Sequence, residues 1–120
     1  HIRKPLNIAA MALAAETLIG THDFKAFEGT GSLRAHTVRT VTTSRLTDNG
    51  DGNLIYDIEA NGFLRFMVRN IVGSLVEVGR GKQPPEWIVR VLASRDRQQA
   101  GVTAPAAGLF LLRVWYEGDT

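Results

Sequence analysis

The chain has 120 residues, 44% hydrophobic and 22% charged, which fits one soluble globular domain over residues 1–120 with a real core and leaves disorder to the ends. It has no cysteine, which excludes disulfides and thiolate metal sites and is compatible with a reducing compartment. Lys and Arg number 14 against 12 Asp and Glu, a net charge of +2 with a pI of about 9.4; so small an excess points to a polyanionic partner only where it is clustered. Charges interrupt every apolar run, so no membrane span is expected. No signal-peptide pattern precedes the first helical segment, which makes the cytoplasm the default expectation.

In chain order, apolar residues at Ile8, Met11, Ala12, Ala15, Leu18 and Ile19 have helical spacing. Asn7 stands where an N-cap belongs and Gly20 where a C-cap belongs. A loop is expected from residue 21 to about 38, then a strand over 40–47. The run Asp48-Asn49-Gly50-Asp51-Gly52 is a turn signal, and a second strand over 54–60 closes the hairpin. Beyond Asn61-Gly62 the period changes. Leu64, Met67, Val68, Ile71, Val72, Leu75 and Val76 form an i, i+3, i+4, i+7 stripe that predicts a helix over 63–78, stopped by Gly79-Arg80-Gly81. Pro85 opens a shorter helix to about Ala93. Residues 108–116 read as a strand apolar on both faces, hence central in its sheet. The order α-β-β-α-α-β predicts an α+β domain, with helices covering one face of a mainly antiparallel sheet.

The segment NGFLRFMVRNIVG at residues 61–73 carries the most chemical information. With the apolar stripe centred near Val68 and Leu75, Arg69 falls at its margin, about 100° round from Val68, and Arg65 lies one turn earlier on that flank. An arginine at the edge of a buried stripe needs a carboxylate or phosphate. Spacing leaves two readings open: a snorkelling or structurally paired arginine, and one with a functional anionic partner.

Residues 62–82, GFLRFMVRNIVGSLVEVGRGK, resemble the signature GFL..MVR.IVG.L.EVG.GK of the TruA family of transfer-RNA pseudouridine synthases. GTHDF at 20–24 followed by Phe27 is similar to the family's G.HDF..F motif. TAPAAGLFL at 103–111 is similar to TAP..GL.L, and Arg39-Thr40 and Val114-Trp115-Tyr116 also agree. The resemblance covers roughly residues 6–116 and identifies the chain with the C-terminal half of such a synthase. It implies conversion of uridine in tRNA to pseudouridine without a cofactor. An aspartate reacts with the target nucleotide; the base is released, turned and rejoined through carbon. That aspartate must stay ionised in a dry pocket, where desolvation raises its pKa, and a bidentate arginine offsets the penalty. Arg69 matches the family's basic residue in that role. Leu109 matches the apolar residue that packs on the flipped uracil; on its own pattern Leu109 reads as a core strand residue.

The family's nucleophile sits in a GRTDAGVHA-like motif, and no Gly-Arg-Thr-Asp occurs among these 120 residues. The aspartates present are Asp23, Asp48, Asp51, Asp57, Asp96 and Asp119, and none matches it. The chain is therefore expected to be inactive alone, an excised half that needs the N-terminal half of the same protein and, by resemblance, acts in a homodimer. Lys25, Arg34, His36, Arg39, Arg65, Arg80 and Lys82 are the candidate RNA contacts; the loop from 25 to 39 has glycines that let backbone approach phosphate. A solvated face is the competing reading of that loop, and helix-dipole capping that of Arg80 and Lys82. Gly81-Lys82 lacks the glycine spacing and Ser/Thr of a phosphate loop. The three histidines show no metal-ligand spacing, so no metal is expected. A non-catalytic RNA-binding α+β module and a dimerisation domain are the alternative readings of the chain.

Overall fold

The computed structural model describes residues 6–29, 36–50, 54–104 and 110–116. Helix α1 (Ile8–Glu16) begins at the expected cap: the Asn7 side chain accepts from Ala10 N at 3.1 Å, a contact worth about 1 kcal/mol. The helix ends earlier than the sequence suggests, and Thr17 donates from its hydroxyl to the Ala14 carbonyl at 2.6 Å. Gly20 does not cap it. With φ of 118°, a value open to glycine alone, it opens strand β1 (Gly20–Asp23), which the expected loop hides. A 3₁₀ turn (Lys25–Phe27) follows and buries Ala26 and Phe27.

Strands β2 (Val38–Asp48) and β3 (Leu54–Ala60) form the expected hairpin, antiparallel, with a register shift between Val41 and Thr43. In the hairpin turn, Gly50 N donates to the Asp48 carboxylate at 2.9 Å. Strand β1 adds antiparallel to β2, and β4 (Phe110–Tyr116) adds parallel to β3, giving the order β1-β2-β3-β4. Two of three pairings are antiparallel, as an α+β domain requires. The central position expected for the last strand is not observed: among the described residues β4 is an edge strand. Its Trp115 is 47% exposed and Val114 is also exposed.

Helix α2 (Met67–Gly79) starts four residues later than its apolar period implies. Phe66 has φ 57° and ψ 13°, a left-handed conformation that costs a bulky residue of order 1–3 kcal/mol, so the helix cannot extend back through it. Leu64 is still buried, from the preceding loop, which is why the stripe looked continuous. Its true centre is Ile71 and Leu75, both fully buried; Val68 is only half-buried. Helix α3 (Trp87–Ser94) follows a turn at Pro84–Pro85 in which Trp87 N donates to the Pro84 carbonyl.

Helix α1 packs on β2 and on α2, and α3 on β1 and the 3₁₀ turn. The core comprises the helix residues Met11, Ile71 and Leu75, Leu18 of the turn after α1, Phe24 and Phe27 of the β1–3₁₀ segment, and Tyr56 and Ile58 of β3. Tyr56 is fully buried and its hydroxyl meets Ser44 Oγ at 2.6 Å. Burial pushes that phenol up, partly opposed by the Ser44 contact.

On the opposite face of the sheet, Asp57 is paired in register with Arg113. The guanidinium donates from Nε and Nη2 to the two carboxylate oxygens at 2.6 and 2.7 Å, and Trp115 Nε1 lies 3.4 Å away. The Arg113 hydrogen bonds hold the Asp57 carboxyl below the usual range against the opposing effect of burial, with smaller help from Trp115 and Arg45. Its folded pKa is thus below the unfolded value of about 3.9, so its stabilisation is complete above about pH 5 and is lost as pH falls through the folded pKa. We expect Arg113→Gln to lower Tm at pH 7 and to flatten the loss of Tm between pH 5 and 2.5. Equal acid slopes in thermal melts of the two proteins would contradict this role.

Candidate functional site

The start of α2 is where the chemistry-bearing residues converge. Arg69, in the first turn, is half-buried and donates from Nε to the Ala104 carbonyl at 2.9 Å. Ala104 N in turn donates to the Arg69 carbonyl at 3.1 Å, so one residue of the following loop holds both backbone and side chain. The Arg69 guanidinium carbon lies 5.2 Å from the centroid of the Phe66 ring, and that of Arg65 lies 4.9 Å from the same centroid. Among the described residues the terminal nitrogens of Arg69 have no hydrogen-bond or ion-pair partner.

The loop at residues 100–104 is seated on α2 by contacts that the apolar pattern does not announce. Asn70 is fully buried; its Nδ2 donates to the Phe27 carbonyl at 2.8 Å, and its Oδ1 accepts from Arg97 Nη2 at 3.2 Å and from the Thr103 hydroxyl. Arg97 also donates to the Gly101 carbonyl at 2.9 Å and to Thr103 Oγ1 at 3.1 Å. Gly101 N donates to Ser74 Oγ at 2.8 Å. Gly73 lets the loop touch the helix: a Cβ there would stand 1.7 Å from the Val102 carbonyl oxygen. Asn70 and Arg97 were missed from sequence. The available signal was Asn70, a polar side chain inside an apolar stripe, which a fold tolerates only when its hydrogen bonds are met.

The other expected contacts divide into two groups. Lys25 and His36 are exposed and Arg39 is half-buried. Arg39 donates to the His36 and Val38 carbonyls at 3.0 and 2.8 Å, and its Nε stands 3.2 Å from where a Cβ on Gly62 would be. Gly29 N donates to the Arg65 carbonyl at 2.7 Å. The segments 25–29, 36–40 and 61–69 therefore meet at one end of the domain, bringing Arg39, Arg65 and Arg69 to the same margin. Arg80 and Lys82 are not part of it. They sit past the far end of α2, about 16 Å along the helix from Arg69, where Arg80 is the C-cap and Lys82, 61% exposed, lies 3.9 Å from Glu77. Arg34 and Leu109 lie outside the described residues.

Asp23, in the His-Asp-Phe segment, is a fastener. Its Oδ1 accepts from the Thr37 hydroxyl at 2.6 Å and from Lys25 N at 3.1 Å, and Arg95 lies 3.7 Å from Oδ2. Burial alone would raise its pKa, but Thr37, the Lys25 N–H and Arg95 together hold it below the ordinary value. These bonds tie β1 to the start of β2 and so fix where the loop between them begins and ends. A cleft of about 320 Å³ between β1 and α3 is lined by Thr17, His22, Asp23, Leu92 and Arg95, among others, and does not include Arg69. No helix among the described residues is long and apolar enough to cross a membrane.

This arrangement offers a planar cation, fixed through Nε and backed by an aromatic ring, with basic neighbours able to meet a polyanion. Residues 14–117 match the family model described as tRNA pseudouridine synthase. The chain is 50% identical to "tRNA pseudouridine synthase A" of Thermoanaerobacter sp. (strain X514) over 97% of its own length and 47% of that protein. It is 48% identical to the protein of the same name from Moorella thermoacetica, again over 97% of the chain and 47% of the relative. Against the Myxococcus xanthus protein it is 42% identical, over 93% and 42%. The chain thus spans about half the length of the curated relatives it matches. On the family match and these identities, the chain belongs to the tRNA pseudouridine synthase family.

Proposed function

We propose that this chain is the C-terminal half of a tRNA pseudouridine synthase, an isomerase that converts uridine to pseudouridine in tRNA without a cofactor. Arg69 is its contribution to the active site. The observation that carries the reading is the half-buried guanidinium of Arg69, tethered by Nε to Ala104. Taking a carboxylate out of water raises its pKa, and a two-pronged guanidinium offsets that cost better than any other side chain. The N-terminal half of the same protein supplies the aspartate. The exposed edge of β4, with Val114 and Trp115 on it, supports a further segment of protein there, because a long apolar edge strand left bare invites aggregation. Lys25, Arg34, His36, Arg39 and Arg65 meet tRNA phosphates in this reading, with Leu109 against the uracil. Arg80 and Lys82, at the other end of α2, are reached only by a large folded RNA. The working enzyme is a homodimer in the cytoplasm.

The test is reconstitution. The chain and its N-terminal half are assayed separately and mixed, following release of tritium from uridine labelled at C5 in tRNA. Neither half alone turns over, and the mixture and the full-length protein do. A full-length protein that carries the Gly-Arg-Thr-Asp motif and still releases no tritium overturns the proposal. Binding of tRNA by the chain alone is expected to weaken steeply with salt, as phosphate contacts release counterions.

A further inference from the structure

Phe66 poses a problem that folding alone does not solve. Its left-handed backbone is strained for an aromatic residue, and its side chain is 44% exposed, so burial returns little for that strain. Glycine would take the same φ at no cost. The conformation is nevertheless fixed from several sides. Gly29 N donates to the Arg65 carbonyl just before it, Met67 N donates to the Leu64 carbonyl, and Asn70 N donates to the Phe66 carbonyl at 2.9 Å. Gly29 also makes room for the ring: a Cβ at that position would lie 2.7 Å from Phe66 Cδ2. Strain held this firmly is found where a side chain must be aimed.

The ring faces two cations. Both guanidiniums of the site, Arg65 and Arg69, lie within about 6 Å of its centroid, the range in which a cation is attracted to an aromatic face. For Arg69 the ring is the second of two restraints. The Nε bond to Ala104 fixes one edge of the guanidinium, and the ring limits rotation of its plane, leaving the terminal N–H pair presented as a fork. The ring also offsets the repulsion between two cations held against it. We infer that Phe66 is a positioning residue of the active site, a cation–π platform that sets the plane of Arg69 for its anionic partner. The inference rests on the proposed role of Arg69 and adds a residue to it.

The experiment uses the full-length enzyme and begins with Arg69→Ala. Wild-type turnover in that variant removes the role of Arg69 and this inference with it. With Arg69 required, Phe66→Leu is expected to lower kcat about tenfold with KM for tRNA unchanged, while Phe66→Tyr and Phe66→Trp, which keep an aromatic face, stay within about twofold of wild type. Phe66→Gly relieves the backbone and is expected to hold or raise Tm while losing kcat as the leucine variant does. The inference alone is overturned by wild-type kcat in Phe66→Leu, by tyrosine and tryptophan variants as impaired as leucine, or by a rise in KM with kcat unchanged, which makes the ring an RNA contact. A Tm that falls in step with kcat across the series makes it a residue of the fold and equally overturns the proposal.

Discussion

Arg69→Ala in the full-length enzyme is expected to cut pseudouridine formation by about three orders of magnitude, the size of effect seen when one preorganised electrostatic group is removed from an active site. A carboxylate in a dry pocket without its counter-charge is driven toward the neutral acid, by as much as 3–5 pK units for full burial, and the acid is no nucleophile. The same reasoning fixes the sign of the pH dependence. Loss of Arg69 raises the pKa of the reacting aspartate, so the acid limb of kcat/KM moves to higher pH. Arg69→Lys keeps the charge but loses the fork and the Nε bond to Ala104, and is expected to fall between the two. Tm should change little, because Arg69 is half-buried and, among the described residues, its one side-chain hydrogen bond is to the loop at 100–104. Single-turnover rates across pH 5–9 for the three proteins check all of this.

The second large effect is on the fold. Gly73→Ala places a methyl group where the Val102 carbonyl oxygen now stands, 1.7 Å from the ideal Cβ position; the Cβ is fixed by its bond to Cα and the oxygen belongs to backbone, so neither can rotate aside. The loop at 100–104 must lift from α2. In lifting, it strains the Gly101–Ser74 bond, the Arg97 and Thr103 contacts to Asn70, and the Ala104 carbonyl that holds Arg69. We expect a loss of about 3 kcal/mol, at the upper end of overpacking, seen as a lower urea midpoint with an unchanged m-value. Activity of the full-length enzyme should fall further than Tm predicts, because the tether of Arg69 moves with the loop. Ser74→Ala, which removes only one of these bonds, is the milder comparison, at about 1 kcal/mol.

Where the sequence spoke plainly, it did so through local chemistry. Asn7 caps α1 because its carboxamide can reach Ala10 N. The hairpin formed as expected, with β3 on the expected bounds, because turn residues and strand alternation agree there. Three features were hidden for identifiable reasons. Strand β1 is four residues long, too short to show a period. The start of α2 was misplaced because Leu64 is buried from a loop, continuing the helical stripe past a residue whose left-handed backbone no composition rule flags. The last strand was placed centrally because its sequence is apolar on both faces; among the described residues it pairs with β3 alone and so stands at an edge. At the site, Arg69 could be singled out by its place beside the stripe. The Asn70–Arg97–Thr103 network could not, since it joins residues up to 33 positions apart whose meeting depends on the loop lying across Gly73.

The central proposal is one geometry: the fork of Arg69 closing on a carboxylate from the N-terminal half of the protein. A crystal structure of the full-length protein with tRNA bound measures it directly. Both terminal nitrogens of Arg69 are expected within about 3 Å of the oxygens of the aspartate that faces the target uridine. Finding that guanidinium on an RNA phosphate, or turned to solvent with the aspartate paired elsewhere, would contradict it.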